Sequence, residues 1–169
     1  MTAQAAFHPK PETETVEAGI QPKETGELAR RLSEALADTY ILYLQTQGVH
    51  WNVVGPTFYG VHNLTETQYE DLAGAIDELA ERIRALGHIS PSSFDEFAKL
   101  SDLVSVPTNK SAGELVEMLV DSNEKAARRI RRSVQTAESA EDVYTADLLT
   151  ARIGVHEKAA WMLRSLLAD

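Results

Sequence analysis

The chain has 169 residues, 43% of them hydrophobic, a formal net charge of −10 and no cysteine. That length suits one domain with a sizeable core, and polar residues interrupt every apolar run, so no segment is expected to span a bilayer. The absence of cysteine fits a reducing compartment and leaves histidine and carboxylate chemistry, while the negative charge argues against a general affinity for nucleic-acid backbones and suits a protein that gathers cations. Acid that merely keeps a helical protein soluble is the plainer alternative.

Residues 1–24 carry Pro9, Pro11 and Pro22 among Thr and Glu, without a helical stripe, and are expected to form a flexible tail ahead of a domain over 25–169. Lys10 and Lys23 face Glu12, Glu14, Glu17 and Glu24, too little positive charge for an arm that grasps DNA. His8 reads as solvated, and no basic, apolar, small-residue leader opens the chain, so export by that route is not expected.

From about Gly26 to Trp51, Leu28, Leu32, Leu36, Tyr40 and Leu44 step by four and predict a first long helix. His50 and Trp51 stand at its end. The short segment from Asn52 to Pro56 lets His50 fold back toward the next helix as a ligand, and a capping or packing role is the alternative. Trp51 is assigned to packing, although an indole beside an oxidising metal could donate an electron.

The second helix is expected from Thr57 to Leu86, with Leu72, Ile76, Leu79, Ile83 and Leu86 as its apolar stripe, Pro56 opening it and Gly87 closing it. Residues 87–110 are too long for a turn, and Ser93–Leu100 can make a short helix through Phe94, Phe97 and Leu100. Ser111 with Glu114 forms a capping box for a third long helix, with Leu115, Leu119, Ala126, Ile130 and Val134 facing inward and Arg128, Arg129, Arg131 and Arg132 on a solvated, ion-paired face. Ser139 with Asp142 is expected to cap a fourth, in which His156 falls in the apolar stripe as a hydrogen-bonded core histidine and Trp161 packs beside it. His88 reads as surface.

The second helix also carries the chemistry. His62, Glu66, Asp77 and Glu81 lie off its stripe as two i, i+4 pairs, each able to offer two ligands to one ion. The pairs are fifteen residues apart, roughly 22 Å along a helix, too far for one ion in one chain. An antiparallel second copy about a two-fold axis near residue 71 or 72 would set His62 and Glu66 opposite Asp77 and Glu81, with Ala73 and Gly74 permitting close approach, and would carry two equivalent sites.

His50-Trp51-Asn52, Gly55-Pro56, Phe58, His62 and the run Asp77-Glu78-Leu79-Ala80-Glu81-Arg82-Ile83 resemble the Dps family, the DNA-binding proteins from starved cells, which are ferritin-like mini-ferritins. The resemblance extends from about residue 26 to the end, through Thr145-Ala146-Asp147 and His156-Glu157-Lys158. It implies an all-α, ferritin-like four-helix bundle with a short extra helix between helices 2 and 3. It further implies a ferroxidase that oxidises Fe(II) with hydrogen peroxide, and more slowly with dioxygen, at sites shared across two-fold dimers of a hollow dodecamer that stores Fe(III) and protects DNA.

Matched residue by residue, His50, His62, Asp77 and Glu81 fall on the family's iron ligands, and Glu66 falls where Asp is usual. Glu141, Asp142 and Asp147 lie where the family's acidic three-fold pores form, and an ordinary acidic helix start is their alternative. The expected location is the cytoplasm, including the nucleoid, and DNA binding through the acidic tail is expected to be weak or absent. A DNA-compacting architectural protein would need basic residues that the tail lacks. A purely structural bundle leaves the two pairs unexplained, and an intrasubunit di-iron ferritin is disfavoured because Glu-x-x-His does not occur.

Overall fold

A computed structural model describes residues 10–103 and 109–168, so His8, Pro9 and Pro107 lie outside the described residues. The described residues form helices α1 (Pro22–Asn52), α2 (Phe58–Ala85), α3 (Phe94–Leu100), α4 (Ala112–Ser139) and α5 (Val143–Ser165), and no strand. Short links join α1 to α2 and α4 to α5, so each forms an antiparallel hairpin. The long connection carrying α3 brings the start of α4 beside the end of α1, where Leu115, Val116 and Leu119 pack with Val49 and Val53. At the other end Leu28, Leu32 and Leu36 meet Ile130 and Ala137. The four long helices form the expected bundle, and α3 is the expected extra helix between its second and third members, with the Phe97 ring stacked on Tyr40 at 4.5 Å.

α1 starts earlier than its leucine spacing indicates because Pro22 occupies the first turn, where its missing N–H costs nothing. Ahead of it, the Glu14 N–H donates to the Gly87 carbonyl at 2.8 Å. Gly87 has φ +84°, and a Cβ there would stand 2.2 Å from the Glu14 oxygen. This part of the expected tail therefore rests on the end of α2, where helix carbonyls need donors.

The Ser111–Glu114 capping box is present, and Ser93–Glu96 forms a second one at α3. Asp142 caps α5 by accepting from the Thr145 N–H at 3.0 Å, but Ser139 is the last residue of α4 rather than part of that cap. Trp51 and Trp161, expected to pack, are 63% and 61% exposed. Each stands about 100° round its helix from a buried neighbour, His50 or Ala160, and that turn carries the indole off the core face.

Arg129 departs most from the expected solvated arginine face. It is 9% exposed and donates to both oxygens of Asp38, at 3.2 and 3.3 Å, and to the Leu100 carbonyl at 2.8 Å. Asp38, 1% exposed, also accepts from the Ser101 hydroxyl at 2.7 Å and the Asp102 N–H at 2.9 Å. This cluster ties the end of α3 to α1 and α4. Arg128 and Arg131 do form surface pairs, with Glu124 and Glu157. His88, expected at the surface, is half-buried with Nε2 3.2 Å from the Thr25 hydroxyl.

His156 is the expected core histidine, 1% exposed with Nδ1 3.0 Å from the Asn123 side-chain oxygen. Asn123 spends its amide N–H on the Leu119 carbonyl, so its oxygen accepts and His156 Nδ1 donates. Burial, aided by the Arg152 charge, pushes the imidazole down to about 3 from 6.5. The unfolded chain takes up this proton below about pH 6.5 and the folded chain only near pH 3, so the stability it contributes is present above that window and lost as pH falls through it. Urea unfolding across this range is expected to be flatter in pH for His156→Gln than for the wild type. An unchanged pH slope would contradict the buried neutral imidazole.

Candidate metal centre

The end of α1 and the start of α2 are held together by the turn at 53–57. Val53 N–H still bonds the Val49 carbonyl, and Gly55, at φ +100°, reverses the chain so that Phe58 N–H reaches the Gly55 carbonyl. The reversal brings His50, 8% exposed, against the half-buried His62. Their rings stack at 3.8 Å and 16°. Nδ1 of each ring lies 2.9 Å from the backbone carbonyl oxygen of the other residue.

A carbonyl oxygen only accepts, so each Nδ1 must carry the proton and donate it. The Nε2 of each neutral ring then holds the lone pair, which is the form in which an imidazole ligates a metal. The two residues orient each other before any ion arrives. Phe58 covers the outer face of His62 at a centroid distance of 5.0 Å, and Tyr69 meets His50 edge-on at 5.2 Å and 80°.

The carboxylates are placed differently. Glu66 is exposed one turn along α2 from His62, and Asp77 and Glu81 are exposed farther along the same unbroken helix. Among the described residues Asp77 and Glu81 form no hydrogen bond or ion pair, and no three histidine or acidic residues of one chain stand close enough to hold a metal. Between the two groups Ala73 and Gly74 are exposed, and a Cβ on Gly74 would meet nothing within 4 Å. The chain thus brings His50 and His62 together with Glu66 beside them, and leaves Asp77 and Glu81 pointing to solvent roughly 22 Å along the rod.

The pore candidates also divide. Glu141 and Asp147 are exposed, but Asp142 is buried, with one oxygen taken by Arg82 at 2.7 Å and the Thr145 hydroxyl, and the other by the Thr145 N–H. Buried, and committed to a cation and a helix cap, the Asp142 carboxylate serves the fold rather than facing a pore. Trp51 makes no ring contact with the histidine pair among the described residues; Tyr69 does. A cavity between α2 and α5, walled by Gln68, Asp71, Asn123, Arg152, His156 and Met162, has its single carboxylate paired to Arg152 at 2.8 Å and offers no metal-ligand set.

Sequence reasoning missed Tyr69 and the mutual locking of the histidines. Tyr69 lies seven residues beyond His62, two turns along the same face, and that spacing was its available signal. Burial, with the negative charges of Glu66 and Glu70, pushes its phenol up.

A Ferritin family model, the ferritin-like domain, matches residues 29–169. DNA protection during starvation protein 2 of Bacillus anthracis is 32% identical, over 80% of this chain and 93% of its own. An uncharacterised low temperature-induced protein of Nostoc sp. is 37% identical, over 90% of this chain and 86% of its own. Among solved structures, a Dps protein from Vibrio cholerae, described as a member of a broad superfamily of ferritin-like diiron-carboxylate proteins, superposes with a TM-score of 0.86 at 29% identity, over 95% of this chain and 100% of that one.

Proposed function

The chain belongs to the Dps family of ferritin-like proteins, and from that premise we propose that it is a ferroxidase whose sites are completed only in a dimer. His50, His62 and Glu66 come from one subunit, and Asp77 and Glu81 from a second copy laid antiparallel along α2. The observation that carries this reading is the pair of histidines that fix each other's Nδ1–H on a backbone carbonyl and leave both Nε2 lone pairs for a ligand. The unpartnered Asp77 and Glu81 supply the hard oxygen donors that favour Fe(III) over Fe(II). The side chain of Glu66, one methylene longer than the usual Asp, lets it bind directly or through water.

Iron is the substrate. Two Fe(II) ions give one electron each to hydrogen peroxide, the O–O bond breaks, two protons are taken up and two waters leave. No hydroxyl radical forms, and that is the protective value of consuming both reagents together. Fe(III) is then stored as mineral inside a hollow dodecamer, with Glu141 and Asp147 as candidates for the pores that admit iron. Protection of DNA comes from this chemistry in the cytoplasm, with direct DNA binding weak or absent because the proximal tail offers Lys10 against Glu12, Glu14 and Glu17.

The test is anaerobic loading of the assembled protein with Fe(II), followed by stoichiometric hydrogen peroxide. Rapid growth of ferric absorbance that stays in solution with the protein is expected. Oxidation no faster than in buffer, with precipitation of iron, would remove the ferroxidase reading.

A further inference from the structure

The cavity between α2 and α5, about 310 Å³ in volume, has a wall of two kinds. Leu64, Leu72, Val155, Ala159 and Met162 line it with carbon, and Gln68, Asp71, Arg152, His156 and Lys158 add polar groups. Arg152 Nε, His156 Nε2 and Gln68 Nε2 are buried and have no hydrogen-bond partner among the described residues. Arg152 and His156 are themselves 6% and 1% exposed. A buried donor or acceptor left unpaired costs its full desolvation penalty, so folded chains keep few of them. Here three belong to residues around one cavity.

The hydrogen-bond sense of each atom is fixed. His156 Nδ1 donates to the Asn123 oxygen at 3.0 Å, so Nε2 carries the lone pair and accepts. Arg152 gives an Nη2 proton to Asp71 at 2.8 Å and keeps its Nε–H, and the Gln68 nitrogen also donates. A complementary ligand has one O–H to give and two oxygens that accept. Arg152 and Lys158 set against Asp71 leave one net positive charge at the cavity, which matches a monoanion. The apolar side of the wall matches carbon.

We propose that this cavity binds a small monoanionic hydroxycarboxylate, whose carboxylate accepts from Arg152 Nε and Gln68 Nε2 and whose hydroxyl donates to His156 Nε2, with its carbon skeleton against Leu64, Val155 and Met162. A carboxylate without the hydroxyl leaves His156 unpaired, and a neutral alcohol leaves the cationic side unanswered. Water satisfies the three atoms but neither the charge nor the apolar wall. The site is independent of the metal centre. At about 100° per residue, Gln68 and Asp71 lie on the far side of α2 from Glu66 and Asp77, so pairing two copies along the metal-ligand face leaves the cavity open.

Equilibrium dialysis of the assembled protein against radiolabelled lactate, at pH 7 and fixed ionic strength, tests the site. Saturable binding is expected, competed by unlabelled lactate and glycolate and roughly tenfold more weakly by propionate, which lacks the hydroxyl. Inorganic phosphate, with an O–H but no carbon, should also compete more weakly than lactate. Gln68→Leu, near in size and without the amide, should weaken lactate binding by about tenfold while keeping the wild-type helical circular dichroism. Asp71→Asn, which removes the competing carboxylate beside Arg152, should tighten it. Propionate or phosphate competing as well as lactate, unchanged binding in Gln68→Leu, weaker binding in Asp71→Asn, or no saturable lactate binding at all would each overturn the proposal and leave the three atoms to ordered water.

Discussion

A His62→Ala chain and an Asp77→Ala chain, each nearly inactive alone, are expected to recover peroxide-driven iron oxidation when assembled together. The reason is geometric. His62, with His50 of α1 stacked on it, and the Asp77–Glu81 pair stand at separate places along the unbroken α2, with no contact between them in a single chain. In a mixed dimer one site loses both residues and the other keeps both. Random pairing makes half the dimers mixed, so about a quarter of all sites are intact. Each variant alone should fall by roughly 100-fold, the upper end of what even outer-shell changes cost a metal site.

Neither change should dismantle the subunit. Asp77 is exposed and free of bonds, and removing His62 gives up one hydrogen bond to the His50 carbonyl, worth about 1 kcal/mol. Co-expression with two affinity tags, followed by rate measurement on the doubly tagged assembly, reads the result directly. Mixed assemblies no more active than the parents would place the whole site within one chain and defeat the shared-site proposal.

Arg129→Ala is expected to be the most destabilising single change away from the metal centre. It leaves the Asp38 carboxylate, 1% exposed, without its cation. Breaking a buried pair from one side costs about 3–5 kcal/mol, which in a chain of this size lowers the melting temperature by roughly 6–20 °C. Removing Arg30, a surface arginine paired with Glu27 and Glu34, should shift stability by less than about 0.5 kcal/mol. Thermal unfolding at matched protein concentration separates the two, since assembly itself adds stability.

The pH dependence of the Arg129 variant follows from the same site. Burial already pushes the Asp38 carboxyl up, against the pull of Ser101, Arg129 and the Asp102 N–H. Without Arg129 the rise is larger, the folded state holds a proton that the unfolded state releases, and stability should increase as pH falls toward the unfolded value. Equal loss for Arg129→Ala and Arg30→Ala, or no gain on acidification, would show that the pair is not what ties α3 to the bundle.

The helices and their faces were legible because periodicity is a local property. Leu28, Leu32 and Leu36, or Leu72, Leu79 and Ile83, announce a buried stripe from their spacing alone. The same rule misplaced Trp51 and Trp161, which stand one residue past the stripe. It also misread Arg129, because a basic cluster shows which residues are charged and not which of them a distant Asp38 will draw inward. That partner lies 91 positions away in the chain.

By itself the amino-acid sequence determined the all-helical class, the ends marked by Ser111 and Gly87, the family, and the presence on α2 of two ligand pairs too far apart for one ion. Those are consequences of spacing, capping and composition, which act within a few residues. Only the tertiary structure decided that His50 and His62 lock each other's tautomer, that Asp142 is tied to Arg82 and the α5 cap, and that Tyr69 rather than Trp51 stands against the histidines. Each depends on a turn or a crossing that brings side chains from different helices within a few ångströms, where hydrogen-bond direction and ring contact, both short-ranged, set what a residue can do.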